Sequence, residues 1–462
     1  MKTLSLAVGG LALAALSSPV TAQWSQATPA TSPAARSGAA MTFDANLGKI
    51  VLFGGTAGFS TSNETWSFDG TTWAQLAPTA SPTGKTGMEL VHDLVRGVTV
   101  MYGSLNTSPF GGASVDQTWE FDGTTWTQVF PVTTPGGLGN YGACFDIVRN
   151  RTVIYGGNAN NFFPIAESGT WEYDGTNWSL ITTAGSPGPL ERPSMCFNVA
   201  LGKTVLFGGI DPQFGGVDTT WLYDGTNWTV APVVGVKPTA RTGAKMAYDP
   251  ARGVCVLSGG LDPMLGTPFL ETWEFNGTAW SQVGSAISGR YNQSYAFLPT
   301  TGQVALFGGT DLATFSDLGD TWLFDAMSRT FGTGCAGSNG VPALAAAGAP
   351  RIGQTYSLTL SNLATASTFA LMAIGLSDQN GPLGPLPLSL ASYGMPGCSA
   401  FVSTDVVVLV GASAGSATWS ASLPNDPGYV GLKLFHQGIS IDAGVNAASL
   451  VVSNAHAGTI GQ

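Results

Sequence analysis

Charge is scarce in this chain. Asp, Glu, Lys and Arg make up only 10% of its 462 residues, and the 17 Lys and Arg form no basic run, which argues against nucleic acid as a partner. Histidine is scarcer still: His92, His436 and His456 are the whole supply. That is too few for zinc or copper held by imidazole clusters, and no Gly-x-Ser-x-Gly motif surrounds a partner serine. The five cysteines, Cys144, Cys196, Cys255, Cys335 and Cys398, contain no Cys-x-x-Cys pair, so a structural zinc site is not indicated. Nor is there EF-hand-like spacing of carboxylates for calcium. The expectation is a protein with no metal and no cofactor. Long apolar runs are missing too. "LSLAVGGLALAAL", residues 4–16, falls short of the roughly 20 residues that a membrane-spanning helix needs.

That short run has another use. Lys2 precedes it, and "VTA" before Gln23 supplies small residues for cleavage, so residues 1–22 read as a secretory signal peptide. The mature chain is expected to be secreted, or held in the cell envelope or periplasm, with no membrane span after cleavage. Oxidising surroundings would permit a disulfide. A bacterial source fits this pattern.

Glycine and tryptophan are abundant, at 63 and 13 residues, and they fall in a pattern. "ETWSFDGTTW" (64–73) returns as "QTWEFDGTTW", "GTWEYDGTNW", "TTWLYDGTNW" and "ETWEFNGTAW". Upstream of each, an apolar run ends on a glycine pair, as in "IVLFGG", "TVIYGG" and "VALFGG"; one copy, "VTVMYGS", has Ser104 instead of the second glycine. The first glycines are Gly54, Gly103, Gly156, Gly208, Gly259 and Gly308, in steps of 49, 53, 52, 51 and 49. A period near 50 signals a repeat architecture. Each unit reads as four short strands, a to d. The Asp-Gly between c and d supplies positive φ for a tight hairpin, and the glycine pair ending strand b lets neighbouring backbone come close. A lone four-stranded sheet cannot bury both its faces, but six around an axis can.

The glycine pair, the downstream Trp and the second Trp near the end of the unit resemble the kelch repeat. The resemblance covers residues 23 to about 330 and implies an all-β fold: a six-bladed β-propeller over residues 23–331. The sixth unit, "DTWLFDAMSRTF", has Trp322 but no second Trp seven residues on. "QWSQATPATSP" (23–33) aligns with "TWAQLAPTASP" (72–82), so Trp24 is expected to supply it and the N-terminal strand to close the ring. Copper-radical enzymes of the galactose oxidase type share this resemblance, yet His92 is the one histidine of the six units. It takes the slot of Phe43, Phe145, Phe197, Tyr248 and Phe297, which reads as structural. The "SFDGTTW" turn is one residue short of a sialidase Asp-box.

After residue 331 the period stops. Residues 332–462 carry strand-like runs such as "TYSLTLSN", "DVVVLVGAS" and "ASLVVSN", which suggest a C-terminal β-sandwich. "FGTGCAGSNGVPAL" reads as the linker into it. Cys335 and Cys398 are the only cysteines there, and a disulfide between them is expected. Cys144, Cys196 and Cys255 read as small buried hydrophobes. "GTGCAGSNGVP" and "FHQGISID" are similar to a small module at the end of many exported bacterial proteins.

The a–b and c–d turns are short and alike, whereas the b–c and d–a connections, on the other face, are long and dissimilar. Function concentrates on loops of that kind. Arg36, Lys85, Arg241 and Arg290 each fall 18 residues before their unit's first glycine, and Arg192 falls 16 before. Two readings stand. Acids of the b–c loops pair with these cations and brace the loops, or the cations form a ligand-facing ring for carboxylates or sulfated sugars. Kelch propellers that capture acidic peptides use arginines in this region, as the resemblance implies. The expected function is non-catalytic binding of an extracellular carbohydrate or protein through the b–c/d–a face. The alternative is a carbohydrate-active enzyme (hydrolase, lyase or epimerase) using loop carboxylates, although no spacing selects a pair. Oligomeric state is left open.

Overall fold

A computed structural model describes residues 21–58, 60–104, 114–159, 166–250, 252–285, 288–347, 349–429 and 432–460. Most of the expected signal peptide, residues 1–20, lies outside them. The protein is all-β, with two single-turn 3₁₀ segments, Ala391–Tyr393 and Pro427–Tyr429. No helix among the described residues is long and apolar enough to cross a membrane.

The repeat builds a series of four-stranded antiparallel sheets. Sheet 1 runs Ser37–Asp44, Lys49–Ala57, Thr65–Phe68 and Trp73–Leu76, and sheets 2 to 5 repeat this order from Leu90, Gly142, Ser194 and Lys245. Sheet 6 takes Ser294–Leu298, Gln303–Phe307 and Thr321–Phe331 from its own unit, and its fourth strand is Thr21–Ala27, which pairs Trp24 with Phe324. Pairing slips between Ala22 and Gln23, the position of the expected cleavage.

Each tight c–d turn follows from its first residue. The Asp69 carboxylate accepts the Thr71 and Thr72 N–H groups at 2.9 and 2.8 Å, and Gly70 takes φ +102°. Asp122, Asp174, Asp224 and Asn276 do the same. At Asp224 the Asn227 and Thr226 donors hold the carboxyl down to about 2.

Three cyclic sets of hydrogen bonds join the sheets in a propeller-like arrangement. The outer set uses the second Trp of each hairpin. Trp73 Nε1 donates to Thr321 of sheet 6, Trp126 to Thr65, Trp178 to Thr118, Trp228 to Thr170 and Trp280 to Thr220, all within 2.8–3.0 Å. Trp24 completes the cycle on Thr272 at 2.9 Å. The middle set explains the glycine pair. Gly55 N–H donates to Lys85 C=O in the next sheet at 2.9 Å, and Ser104, Gly157, Gly209, Gly260 and Gly309 make the equivalent bonds to Leu138, Leu190, Arg241, Arg290 and Arg36. A Cβ on Gly54 would meet that Lys85 oxygen at 2.6 Å, and one on Gly103 would meet the Leu138 oxygen at 2.2 Å; only glycine fits. Between neighbouring sheets lie apolar layers, such as Ile50, Leu52, Phe68 and Trp73 against Ala305 and Phe307.

The C-terminal strands form one nearly closed seven-stranded path: Ala343–Ala346, Thr355–Ser361, Ser416–Ser422, Val406–Ser413, Phe369–Gly375, Lys433–Ile441 and Leu450–Thr459. Ser416–Ser422 and Val406–Ser413 pair only at their shared tip, which turns a corner and lets two layers enclose Leu358, Leu360, Ala370, Met372 and Val410. On the other side, Leu344 N–H and C=O both bond the Asn454 side chain, at 2.8 and 3.0 Å. The Cys335 and Cys398 sulfurs lie at disulfide distance, 2.03 Å. Just before the expected linker, which begins at Phe331, strand Thr321–Phe331 pairs its Ser328–Phe331 end with Ala455–Gly458.

Candidate functional site at the central channel

The first strands of the six sheets surround a channel. Its mouth, on the face of the long loops, is rimmed by the third hydrogen-bond cycle. Gly38 N–H donates to Asn292 C=O, Gly87 to Gly38, Asn140 to Gly87, Arg192 to Asn140, Gly243 to Arg192 and Asn292 to Gly243, at 2.7–3.4 Å. All six residues have φ between +53° and +68°. Inside this rim is a cavity of about 240 Å³, lined by Thr86, Asn140, Arg192, Asn292 and the floor pair Glu89 and Lys245.

The five predicted cations divide into two groups. Arg36 is buried and donates to Glu64 at 2.5 Å, Ser62 at 3.0 Å and Gly54 C=O at 3.1 Å. Arg241 is buried, bonded to Glu271 at 2.5 Å and stacked 4.1 Å above the Phe269 ring. Arg290 grips Asp320 with both terminal nitrogens, at 2.7 and 2.9 Å. Lys85 is buried and has the neutral Gln117 amide as its hydrogen-bond acceptor, at 3.0 Å; burial pushes its ammonium down to about 8. Burial alone would raise the acids, yet their Arg and Trp donors hold Glu64 and Asp320 below the ordinary carboxylate range.

In sheets 3 and 4 the same position holds Leu138 and Leu190, and the acid position, two before the first hairpin Trp, holds Gly169 and Thr219. Cation and acceptor are present together or missing together, as expected of a brace. Arg192 stands two residues further on, in the rim itself. Its Nη1 meets Glu191 at 3.2 Å, while its buried Nε has no hydrogen-bond partner among the described residues.

Other loop acids hold their own turns. Asp211, Asp262 and Asp311 accept the N–H groups two and three residues ahead. These turns lift Phe214, Met264 and Phe315 into solvent, 77%, 85% and 79% exposed. The b–c loop aromatics Phe59, Phe110, Phe162 and Phe163 lie outside the described residues.

Two channel features escaped the sequence reading. Glu89 of sheet 2 and Lys245 of sheet 5 form an ion pair across the channel. Below it, a second cavity of about 380 Å³ opens toward the a–b turns. At its edge His92 Nε2 accepts the Ala45 N–H at 3.2 Å, which requires a neutral ring; burial lowers its pKa against the pull of Asp44. Cys144 and Cys196 are buried here, and burial drives both thiols above their ordinary range, so they are poor nucleophiles. Among the described residues no three His, Cys, Asp or Glu side chains group as for a metal.

No protein-family model matches this sequence, and no curated protein matches it.

Proposed function

We propose that the chain is an exported, non-catalytic binding protein that captures an extracellular carbohydrate or protein at the mouth of the channel. In this reading residues 1–22 are a cleaved leader, residues 23–331 a six-bladed kelch-type propeller closed by its N-terminal strand, and residues 332–462 a β-sandwich module. The observation that carries it is the polar mouth cavity on the face of the dissimilar loops. Arg192 lines it, its buried Nε without a hydrogen-bond partner among the described residues, and Asn140 and Asn292 stand beside it. Planar side chains of this kind suit hydroxyl and carboxylate recognition. Exposed Phe214 and Phe315 would stack on sugar faces. Arg36, Lys85, Arg241 and Arg290 serve by holding the loops.

The test incubates residues 23–462 with neutral and anionic polysaccharides and records bound protein and released sugar together. Binding without release, weakened at least tenfold by Arg192→Ala, is expected. Released sugar would overturn the reading in favour of a carbohydrate-active enzyme on the loop carboxylates.

A further inference from the structure

The lower chamber differs in chemistry from the mouth. Its walls are mostly apolar, with Phe43, Leu90, Phe145, Met195, Phe197 and Phe297 among them. Its outer edge carries Leu94 and Val199, 49% and 50% exposed on the a–b turns of sheets 2 and 4. Solvent-facing apolar residues around an apolar cavity suit the arrival of an apolar ligand. The inner end is polar and holds one charge of each sign. Glu89 and Lys245 reach across from opposite sides of the ring, and both line the chamber. Their side chains keep 22% and 26% of their exposure, so solvent and solutes reach them.

A ligand with a single charge gains little at such an end. A carboxylate drawn to Lys245 would stand beside Glu89, and an amine drawn to Glu89 would stand beside Lys245. A ligand carrying both charges on neighbouring atoms exchanges one ion pair for two, with no charge left unpaired. The apolar remainder then fills the chamber, whose volume of about 380 Å³ lies near the low end of small-ligand pockets.

We propose that the lower chamber binds an apolar free amino acid, its ammonium on Glu89, its carboxylate on Lys245 and its side chain among the apolar walls. The site faces away from the mouth cavity across the Glu89–Lys245 pair and does not depend on what the loops bind.

The experiment is calorimetric titration of residues 23–462 with L-leucine, L-phenylalanine, glycine, octanoate and octylamine. Saturable one-to-one binding of leucine or phenylalanine is expected, at least tenfold tighter than glycine, octanoate or octylamine. Glu89→Gln and Lys245→Met should each weaken it at least tenfold. Either single change strands a charge in the channel, so the exchange Glu89→Lys with Lys245→Glu, which keeps the pair, provides a folded control. It should bind within a few-fold of the natural chain. No amino-acid binding by the natural chain would overturn the proposal. So would octanoate or octylamine binding equally well, or glycine equalling phenylalanine. Arg192→Ala, which disables the mouth, should leave this titration unchanged.

Discussion

Replacing Trp24 by alanine tests whether the N-terminal strand is part of the ring. The indole is 7% exposed, packs against Phe324 and Tyr295 with centroids 5.2 and 6.3 Å away, and donates to Thr272 at 2.9 Å. Roughly 200 Å² of aromatic surface at about 25 cal/mol per Å² gives ~5 kcal/mol. The unfolded chain already hides part of that area, so this is an upper bound. Alanine retains a little of it, and the lost hydrogen bond adds about 1 kcal/mol. The net expectation is about 4 kcal/mol, inside the usual cost of about 3–5 kcal/mol for such truncations. Trp24→Phe keeps most of the area, loses the Thr272 bond, and should cost about 1–2 kcal/mol. Trp126→Ala is the internal standard, because Trp126 makes the same bond to Thr65 at 3.0 Å within the continuous part of the ring. Urea unfolding of residues 23–462, followed by tryptophan fluorescence and far-ultraviolet circular dichroism, reads all three. If Trp24→Ala costs under about 1 kcal/mol while Trp126→Ala costs its full amount, the N-terminal strand is an accessory and the closure argument fails.

Further expectations concern the braces and the C-terminal strands. Glu271→Ala leaves the Arg241 guanidinium buried and unpaired and should cost about 3–5 kcal/mol in urea unfolding; Arg241→Leu with Glu271→Thr, copying Leu190 and Thr219, should recover most of it. Lys85→Leu, copying Leu138, should raise the melting temperature at pH 7, since burial disfavours the Lys85 ammonium; a fall would mean that its bond to Gln117 outweighs that burial. His436 is fully buried, its ring nitrogens lack hydrogen-bond partners among the described residues, and burial, with His456 close by, lowers its pKa from 6.5 to about 3. The unfolded chain therefore takes the proton first as pH falls. Stability is whole above about pH 6.5 and should drop by ~3 kcal/mol by about pH 4.5. His436→Phe should flatten that slope. Reducing Cys335–Cys398, which spans 63 residues, should cost about 4 kcal/mol on loop entropy, measured by denaturant unfolding with and without reductant.

Much of the architecture was legible because the repeat carries its own frame. A period near 50, glycine pairs and the orphaned Trp24 give the sheet order and the pairing of the N-terminal strand with Thr321–Phe331. The site was less legible. Arg192 was grouped with Arg36 by proximity, whereas counting 18 residues before Gly208 gives Leu190. The two-residue offset moves Arg192 from the brace position to the rim. The same frame holds a signal that was passed over. Four residues after each brace position stand Ala40, Glu89, Gly142, Ser194, Lys245 and Ser294. The two charges in that column are three units apart, which in a cycle of six means facing each other. Among the C-terminal strands, runs such as "TYSLTLSN", "DVVVLVGAS" and "ASLVVSN" are visible in the sequence, whereas Ala343–Ala346 starts inside the stretch that reads as linker, because small residues signal flexibility as readily as tight packing. The order of those strands depends on the corner at Ala412–Ala417 and on Asn454, contacts between distant residues that no local pattern reveals.

Strand Thr321–Phe331 belongs to two neighbourhoods at once. Its first half lies between Gln303–Phe307 and the N-terminal strand, and its second half pairs with Leu450–Thr459. The ring and the C-terminal strands are therefore joined by a ladder of backbone hydrogen bonds as well as by the chain itself. Tension between them would run along this strand and load its ladder bonds side by side instead of peeling them one at a time. A protein anchored by one end and gripping a partner with the other would have its strongest mechanical element at the seam.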